Sequence, residues 1–388
     1  MIKKIITLAF FLPLIAVSQI ANDWINYDQH YFKFPIAKDG IYRIQYEQLI
    51  TSGINFSLFD PRNLQLFAKG KEQAIYIQGE SDGSFDSNDF IEFYAENNDG
   101  WYDHNLFSDS AHVFNPYVSM YTDTLYYYLT WNSSTSNKRM LDADDSDFDS
   151  YTPIEYVWRE EILTSSGKFN SGRRTTAGKP VPEYSEGEGR FINGLSPSGA
   201  INNGRTYTLN TPKKFDVGPD GWIKTEMVGQ MKGKHNYTHF TQISVNENEL
   251  YNESFYGQEN VFVEGRLPVD WVGDELKVRI KSILSVRNEN DIINVSYVHA
   301  RYPRVLSLGG ESEFLMFVPS GSESKDLLVI SDYNNLNSTV RLYDLTTGSR
   351  IQVQPDNDIY YALVNNTGKE RKCYLTNEKS IRTVSSIR

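Results

Sequence analysis

A single cysteine, Cys373, is the only thiol in this 388-residue chain. No internal disulfide can staple it, and its stability must come from packing. Long apolar runs are equally scarce. After residue 18 none approaches the roughly 20 apolar residues that a bilayer-spanning helix needs. Positive charge is in deficit, with 38 Lys and Arg against 50 Asp and Glu and a net charge of −12. Nucleic acid and anionic membrane both call for clustered positive charge, so the balance argues against either as a partner. There is no phosphate loop, no dinucleotide fingerprint and no serine-hydrolase elbow. Helical periodicity is rare.

What is present starts with an export signal. Lys3 and Lys4 form a positive n-region, residues 5–17 form an apolar core, and Ala16-Val17-Ser18 supplies the small residues that a signal peptidase reads. The core is too short for a membrane anchor and is interrupted by Pro13. Residues 1–18 are therefore expected to be a signal peptide cut after Ser18. Loss of Lys3 and Lys4 turns the −12 into −14. About 370 residues remain, more than one core usually serves.

The dominant signal is alternation with a period of two, the mark of strands with one wet face. In Leu276-Lys277-Val278-Arg279-Ile280-Lys281 the apolar side chains point one way and the cations the other. The same rule holds at 41–44, 90–94 and 359–364. Polar turns punctuate these runs, as at Asn97-Asn98-Asp99-Gly100 and Asn246-Glu247-Asn248. One short helix is predicted over 46–52, stopped by Gly53. The Gly/Ser/Arg-rich stretch 165–178 reads as a loop. Aromatics reach 14%, with 26 Tyr and 21 Phe, a composition suited to pleated, half-buried surfaces. The fold class is mainly all-β, in two or three consecutive β-sandwich-type domains. Composition shifts place an N-terminal β domain at 19–135, an acidic linker at 136–149, a β-sandwich domain at 150–306 and a small β domain at 307–388.

Four features could carry chemistry. Cys373 lies in Arg371-Lys372-Cys373-Tyr374-Leu375, a predicted strand with no histidine near it in sequence, which favours a buried structural thiol over a nucleophile. His235 and His239 have the i, i+4 spacing of a helical metal pair. Their flanks read as strand, where four residues span roughly 13 Å, too far for one ion. Glu160 and Glu161 are adjacent carboxylates, and on a strand they point to opposite faces. The cluster Asp82, Asp86, Asp89 and Glu92 around Gly83 has the oxygen density of a calcium loop, though not EF-hand spacing. The plainer reading is a tight turn capped by Asp and Asn. No catalytic constellation and no other cofactor is expected.

Several phrases, taken in order, resemble a known family. They are Asp60-Pro61-Arg62-Asn63-Leu64-Gln65-Leu66-Phe67, Gly79-Glu80-Ser81-Asp82-Gly83, Asp89-Phe90-Ile91-Glu92-Phe93-Tyr94, Asn98-Asp99-Gly100-Trp101 and Tyr128-Leu129-Thr130-Trp131. The series resembles the N-terminal region of the type IX secretion system sortases, which are gingipain-like cysteine peptidases. Tyr297-Val298-His299-Ala300-Arg301-Tyr302-Pro303-Arg304 is similar to the close of that family's second β domain, and 340–387 to the small β domain before the peptidase. In the family the catalytic His and Cys lie in a later caspase-like domain. This sequence stops at Arg388, about where that domain would begin, so no catalytic residue carries over.

The resemblance implies a truncated, non-catalytic scaffold or docking region at the outer-membrane surface. Its partners would be the remainder of a peptidase or an outer-membrane secretion component, together with exported cargo whose C-terminal sorting signals the family processes. The alternative is a stand-alone surface binding module, a lectin or adhesin, with Trp101, Tyr102, Trp131 and Trp222 as sugar-stacking candidates, although packing in the core is the favoured reading of each. A free-standing enzyme is the third reading.

Overall fold

The computed structural model describes residues 22–175, 177–196, 204–230, 238–283 and 292–388. The signal expected over 1–18 and His235 lie outside them. The chain is mostly strand, arranged in several sheets, as the alternation requires. Strand Glu275–Ser282 buries Leu276, Val278 and Ile280 and turns the residues between them outward. It pairs on one side with Arg205–Asn210 and on the other with Thr238–Val245. The hairpin from Thr238–Val245 to Asn248–Tyr256 turns on Asn246 and Glu247, with φ of 43° and 72°. Two consecutive positive φ values match the twist of the flanking strands, and Asn tolerates that conformation. The helix occupies Tyr46–Thr51, with Gly53 at φ 94° just beyond it.

Three sandwich-like units follow one another. In the first, one sheet orders Phe32–Ile36, Leu125–Trp131, Leu64–Ala68 and Lys71–Gln73. The other orders Arg382–Thr383, Gly40–Gln45, Phe90–Ala95 and Tyr76–Ile77. Their facing side chains, among them Phe34, Leu66, Phe93 and Leu129, form one core. The second unit is built around Ile223, Met227, Val278 and Val295, and the third around Phe314, Met316, Leu328 and Leu375.

The cores are separate, but the backbone pairing is continuous. Strand Val157–Leu163 pairs with Ile292–Arg304 over seven positions of the second unit. It also meets Phe314–Val318 of the third at a single position, Phe317 opposite Trp158. One long sheet therefore crosses the 306/307 boundary. At that seam the Arg301 guanidinium lies 4.9 Å from the Trp158 ring and 5.1 Å from the Phe317 ring.

Three further joins carry no local sequence signal. Within 136–149, Met140 is buried and Leu141–Asp142 pairs in parallel with Ser349–Gln352. The acids of that segment meet cations of the third unit: Asp142 with Arg350 at 2.8 Å, Asp144 with Arg341 at 3.7 Å, and Asp145 with Lys325. Within 165–178, Lys168–Ser171 forms a strand against Glu188–Phe191. At the end of the sequence, Arg382–Thr383 pairs in parallel with Gly40–Gln45 and Val384 enters the first core. Arg388 and Lys33 exchange backbone hydrogen bonds of 2.9 and 3.0 Å.

Candidate functional site

Phe90–Ala95 is buried on both faces, because one side covers the first core and the other meets the third unit. Glu92 is consequently sealed in. Its Oε1 accepts from Arg43 Nε at 2.8 Å. Its Oε2 accepts from Tyr343 Oη at 2.9 Å and Arg350 Nε at 3.2 Å. Arg43 continues to Glu378 at 2.7 Å and Arg350 to Asp142 at 2.8 Å. Burial opposes the charge on Arg350. Tyr343, Glu92 and Asp142 outweigh it and hold the guanidinium protonated. The result is a closed set of charges pinning the first unit to the third.

Glu92 is thus occupied by two arginines. Asp89 Oδ2 accepts from Asp86 N at 2.7 Å, and Asp82 Oδ1 accepts from Ser84 N at 2.8 Å, so both cap local turns. Among the described residues no group of three or more His, Cys, Asp or Glu side chains is gathered to hold a metal ion. Asp82 and Asp89 serve turns and Glu92 a charge clamp in this arrangement.

Cys373 is wholly enclosed, opposite Met316 on one neighbouring strand and Asp344 on the other. Burial, reinforced by Asp344, pushes its thiol well up, away from the thiolate that nucleophilic attack requires. His239 is buried, with Nε2 2.6 Å from the Gly257 carbonyl and its ring stacked on Phe255.

A second polar set lies on the long sheet, where sequence reasoning placed none. His299 Nδ1 is 2.7 Å from Tyr117 Oη, and its Nε2 is 3.1 Å from Glu160 Oε2. Arg301 also reaches Glu160, at 3.3 Å. Nearby, burial pushes Glu226 up to about 8, against the opposing hydrogen bonds of Asn260 and Tyr297. Burial and then the Glu160 and Glu226 carboxylates raise the Tyr117 hydroxyl. A hydroxyl held this firmly protonated is a donor rather than an activated nucleophile. Tyr297, His299 and Arg301 alternate along one strand, which is the only local trace of the set. Glu160 and Tyr117 join from 139 and 182 residues away. Glu161 pairs with Arg159 at 2.8 Å, on the face opposite Glu160.

The four aromatic candidates divide. Trp131 stacks on Phe59 at 4.4 Å, and Trp222 sits edge-on to His299 at 4.6 Å, both within packed surroundings. Trp101 and Tyr102 instead line an open cleft of about 420 Å³, shared with Trp24, Tyr126 and Tyr128.

The architecture defines a class: a chain of consecutive β-sandwich units tied by one shared sheet and a buried charge clamp. Among solved structures it is similar to dimeric latent PorU from Porphyromonas gingivalis, with a TM-score of 0.55 and 13% identity over 93% of this chain. It spans 33% of that chain, about a third of its length. The likeness is one of fold. The CBM36-1 domain of a multidomain xylanase from the hindgut metagenome of Trinervitermes trinervoides matches at a TM-score of 0.20 and 11% identity, over 37% of this chain and 96% of that one. The ANX1 ectodomain from Arabidopsis thaliana matches at 0.23 and 8%, over 72% and 78%. No protein-family model and no curated protein sequence matches the chain.

Proposed function

We propose that this chain is a non-catalytic scaffold and docking region of a cell-surface, sortase-like cysteine peptidase of the type IX secretion system. The observation that carries the reading is the PorU-like fold over 93% of the chain. The ordered phrases from Asp60 to Trp131 support it. On this reading the chain acts by holding its partners in place. The Glu92 clamp and the returning C-terminal strand join the first and third units at two separate places. A peptidase or an outer-membrane secretion component docked there would be presented at a fixed angle to exported cargo. The enclosed Cys373 thiol has no access to a peptide. The site of action is the outer-membrane surface.

The test is affinity capture of the tagged chain from its host, beside a deletion strain. Recovery of a gingipain-like peptidase or an outer-membrane secretion component is expected, with cargo retaining its C-terminal sorting signals in the deletion strain. Normal sorting-signal removal in that strain would overturn the proposal. So would cleavage of sorting-signal peptides by purified 19–388 that Cys373→Ala abolishes.

A further inference from the structure

We propose that the aromatic cleft of the first unit is a saccharide-binding site that takes a neutral pyranose unit of a glycan. The proposal is independent of the peptidase reading, because it concerns a different surface and a different ligand.

The cleft is built from the strand upward. In Leu125–Trp131 the alternation turns Leu125, Tyr127 and Leu129 into the core and sets Tyr126 and Tyr128 side by side on the outer face. Trp24 lies beside them, 5.2 Å from the Tyr128 ring and stacked on Phe67 at 5.2 Å. Gly70, at φ 70°, takes the left-handed turn that sets the backbone beside the Trp24 ring. Trp101 closes the other side. It rests partly on the core, and its turn is fixed by Asp99 Oδ1, which accepts from Trp101 N at 2.9 Å. Tyr102 and Tyr126 remain 43% and 44% exposed. The aromatic walls are thus positioned by packing and turn chemistry while part of their surface stays open. That preorganisation lowers the ordering cost of binding.

The chemistry selects the ligand. A pyranose ring offers an apolar C–H face to an aromatic face and hydroxyls around its edge. The polar groups for that edge are present: Lys69 Nζ is held between Glu96 at 2.9 Å and Asp99 at 2.8 Å at one end of the cleft. An ammonium there disfavours a cationic ligand, which an unguarded aromatic cage would otherwise suit. Glu96 also takes Lys372 at 2.7 Å, so two ammonium groups and two carboxylates cancel there and no net positive charge remains to favour an anionic one. A neutral, hydroxyl-rich ring satisfies both conditions. The volume of about 420 Å³ falls in the range of small-ligand sites. A proline-rich peptide also docks on aromatic grooves, but it offers few hydroxyls to the Lys69 end.

The experiment titrates purified 19–388 with cellohexaose, chitohexaose, mannohexaose, xylohexaose and neutral oligosaccharides hydrolysed from the host's own surface polysaccharide. Decaproline is the comparator. Tryptophan fluorescence and saturation-transfer NMR are the readouts. Saturable binding of at least one oligosaccharide is expected, and Tyr126→Ala and Tyr102→Ala should each weaken it about tenfold or more without moving the thermal midpoint. Both residues are exposed, so their loss leaves the core intact. Absence of saturable binding across the panel, equal binding by both variants, or saturable binding of decaproline alone would overturn the proposal.

Discussion

The hydroxyl of Tyr343 donates to the carboxylate of Glu92 at 2.9 Å, joining strands 251 residues apart in the sequence. The same carboxylate receives Arg43 and Arg350; Glu92, Tyr343 and Arg350 are buried and Arg43 is partly exposed. Buried ion pairs contribute little net stability when complete, but losing one partner leaves an uncompensated charge inside. Glu92→Ala removes the carboxylate shared by the two guanidinium groups and leaves Arg43 with Glu378 and Arg350 with Asp142. It should lower unfolding stability by about 2 to 3 kcal/mol in urea titrations, below the cost of a fully unpaired buried charge. Tyr343→Phe removes one hydrogen bond to a charged acceptor and should cost about 1.5 to 3 kcal/mol. A double mutant that costs the sum of the two would show that the contact is not coupled.

Glu226 makes stability depend on pH. Its folded pKa is raised by burial to about 8, above the ordinary 4.5. Between those values the folded state holds the proton that the unfolded state releases, so stability falls as pH rises through that window. At 1.36 kcal/mol per unit the loss is on the order of 5 kcal/mol. Glu226→Gln keeps the neutral shape and should raise the thermal midpoint at pH 8.5 while leaving it near wild type at pH 4.5. Equal shifts at both values would contradict the assignment.

The returning strand Arg382–Thr383 covers an edge of the first unit, and Val384 fills part of its core. Arg382 also holds Glu313 at 2.8 Å. Removing 382–388 should cost at least about 2 kcal/mol from the lost burial alone. It should also accelerate hydrogen exchange along Gly40–Gln45 and promote association through the uncovered edge. Val384→Asp should reproduce the stability loss with the chain length intact. Unchanged exchange over 40–45 in the truncated protein would refute the edge-covering role.

Calcium and chelator should give the same thermal midpoint, because Glu92 is already paired with Arg43 and Arg350 and Asp82 and Asp89 already accept backbone hydrogens. A calcium-dependent rise that Asp86→Ala abolishes would restore the ion-binding reading by mass action.

How much of this could be read from residues alone follows the range of each interaction. Leu276, Val278 and Ile280 announce their strand because alternation is a local property. Gly53 marks the end of the Tyr46–Thr51 helix for the same reason. Glu92 enters the calcium-loop candidate only because its neighbours Asp86 and Asp89 are acids. Its hydrogen-bond partners Tyr343 and Arg350 are 251 and 258 residues away, and nothing near position 92 encodes them. The acidic stretch 136–149 read as solvated because it is poor in apolar residues. A two-residue parallel pairing with Ser349–Gln352 needs no apolar pattern. Tyr128 is legible only within the phrase Tyr128-Leu129-Thr130-Trp131, and Tyr126 carries no local signal at all. That they share a cleft with Trp101 depends on how the turn at 98–101 folds over the sheet.

The single pairing of Phe317 with Trp158 is where the long sheet changes owner from one unit to the next. Mechanically it is a seam: wide ladders on either side meet through one rung, with Arg301 wedged between the two rings. A tensile load between the second and third units would concentrate on that rung and on the Arg159 guanidinium, which donates to the Leu315 carbonyl at 2.8 Å beside it. The wide ladders would yield last.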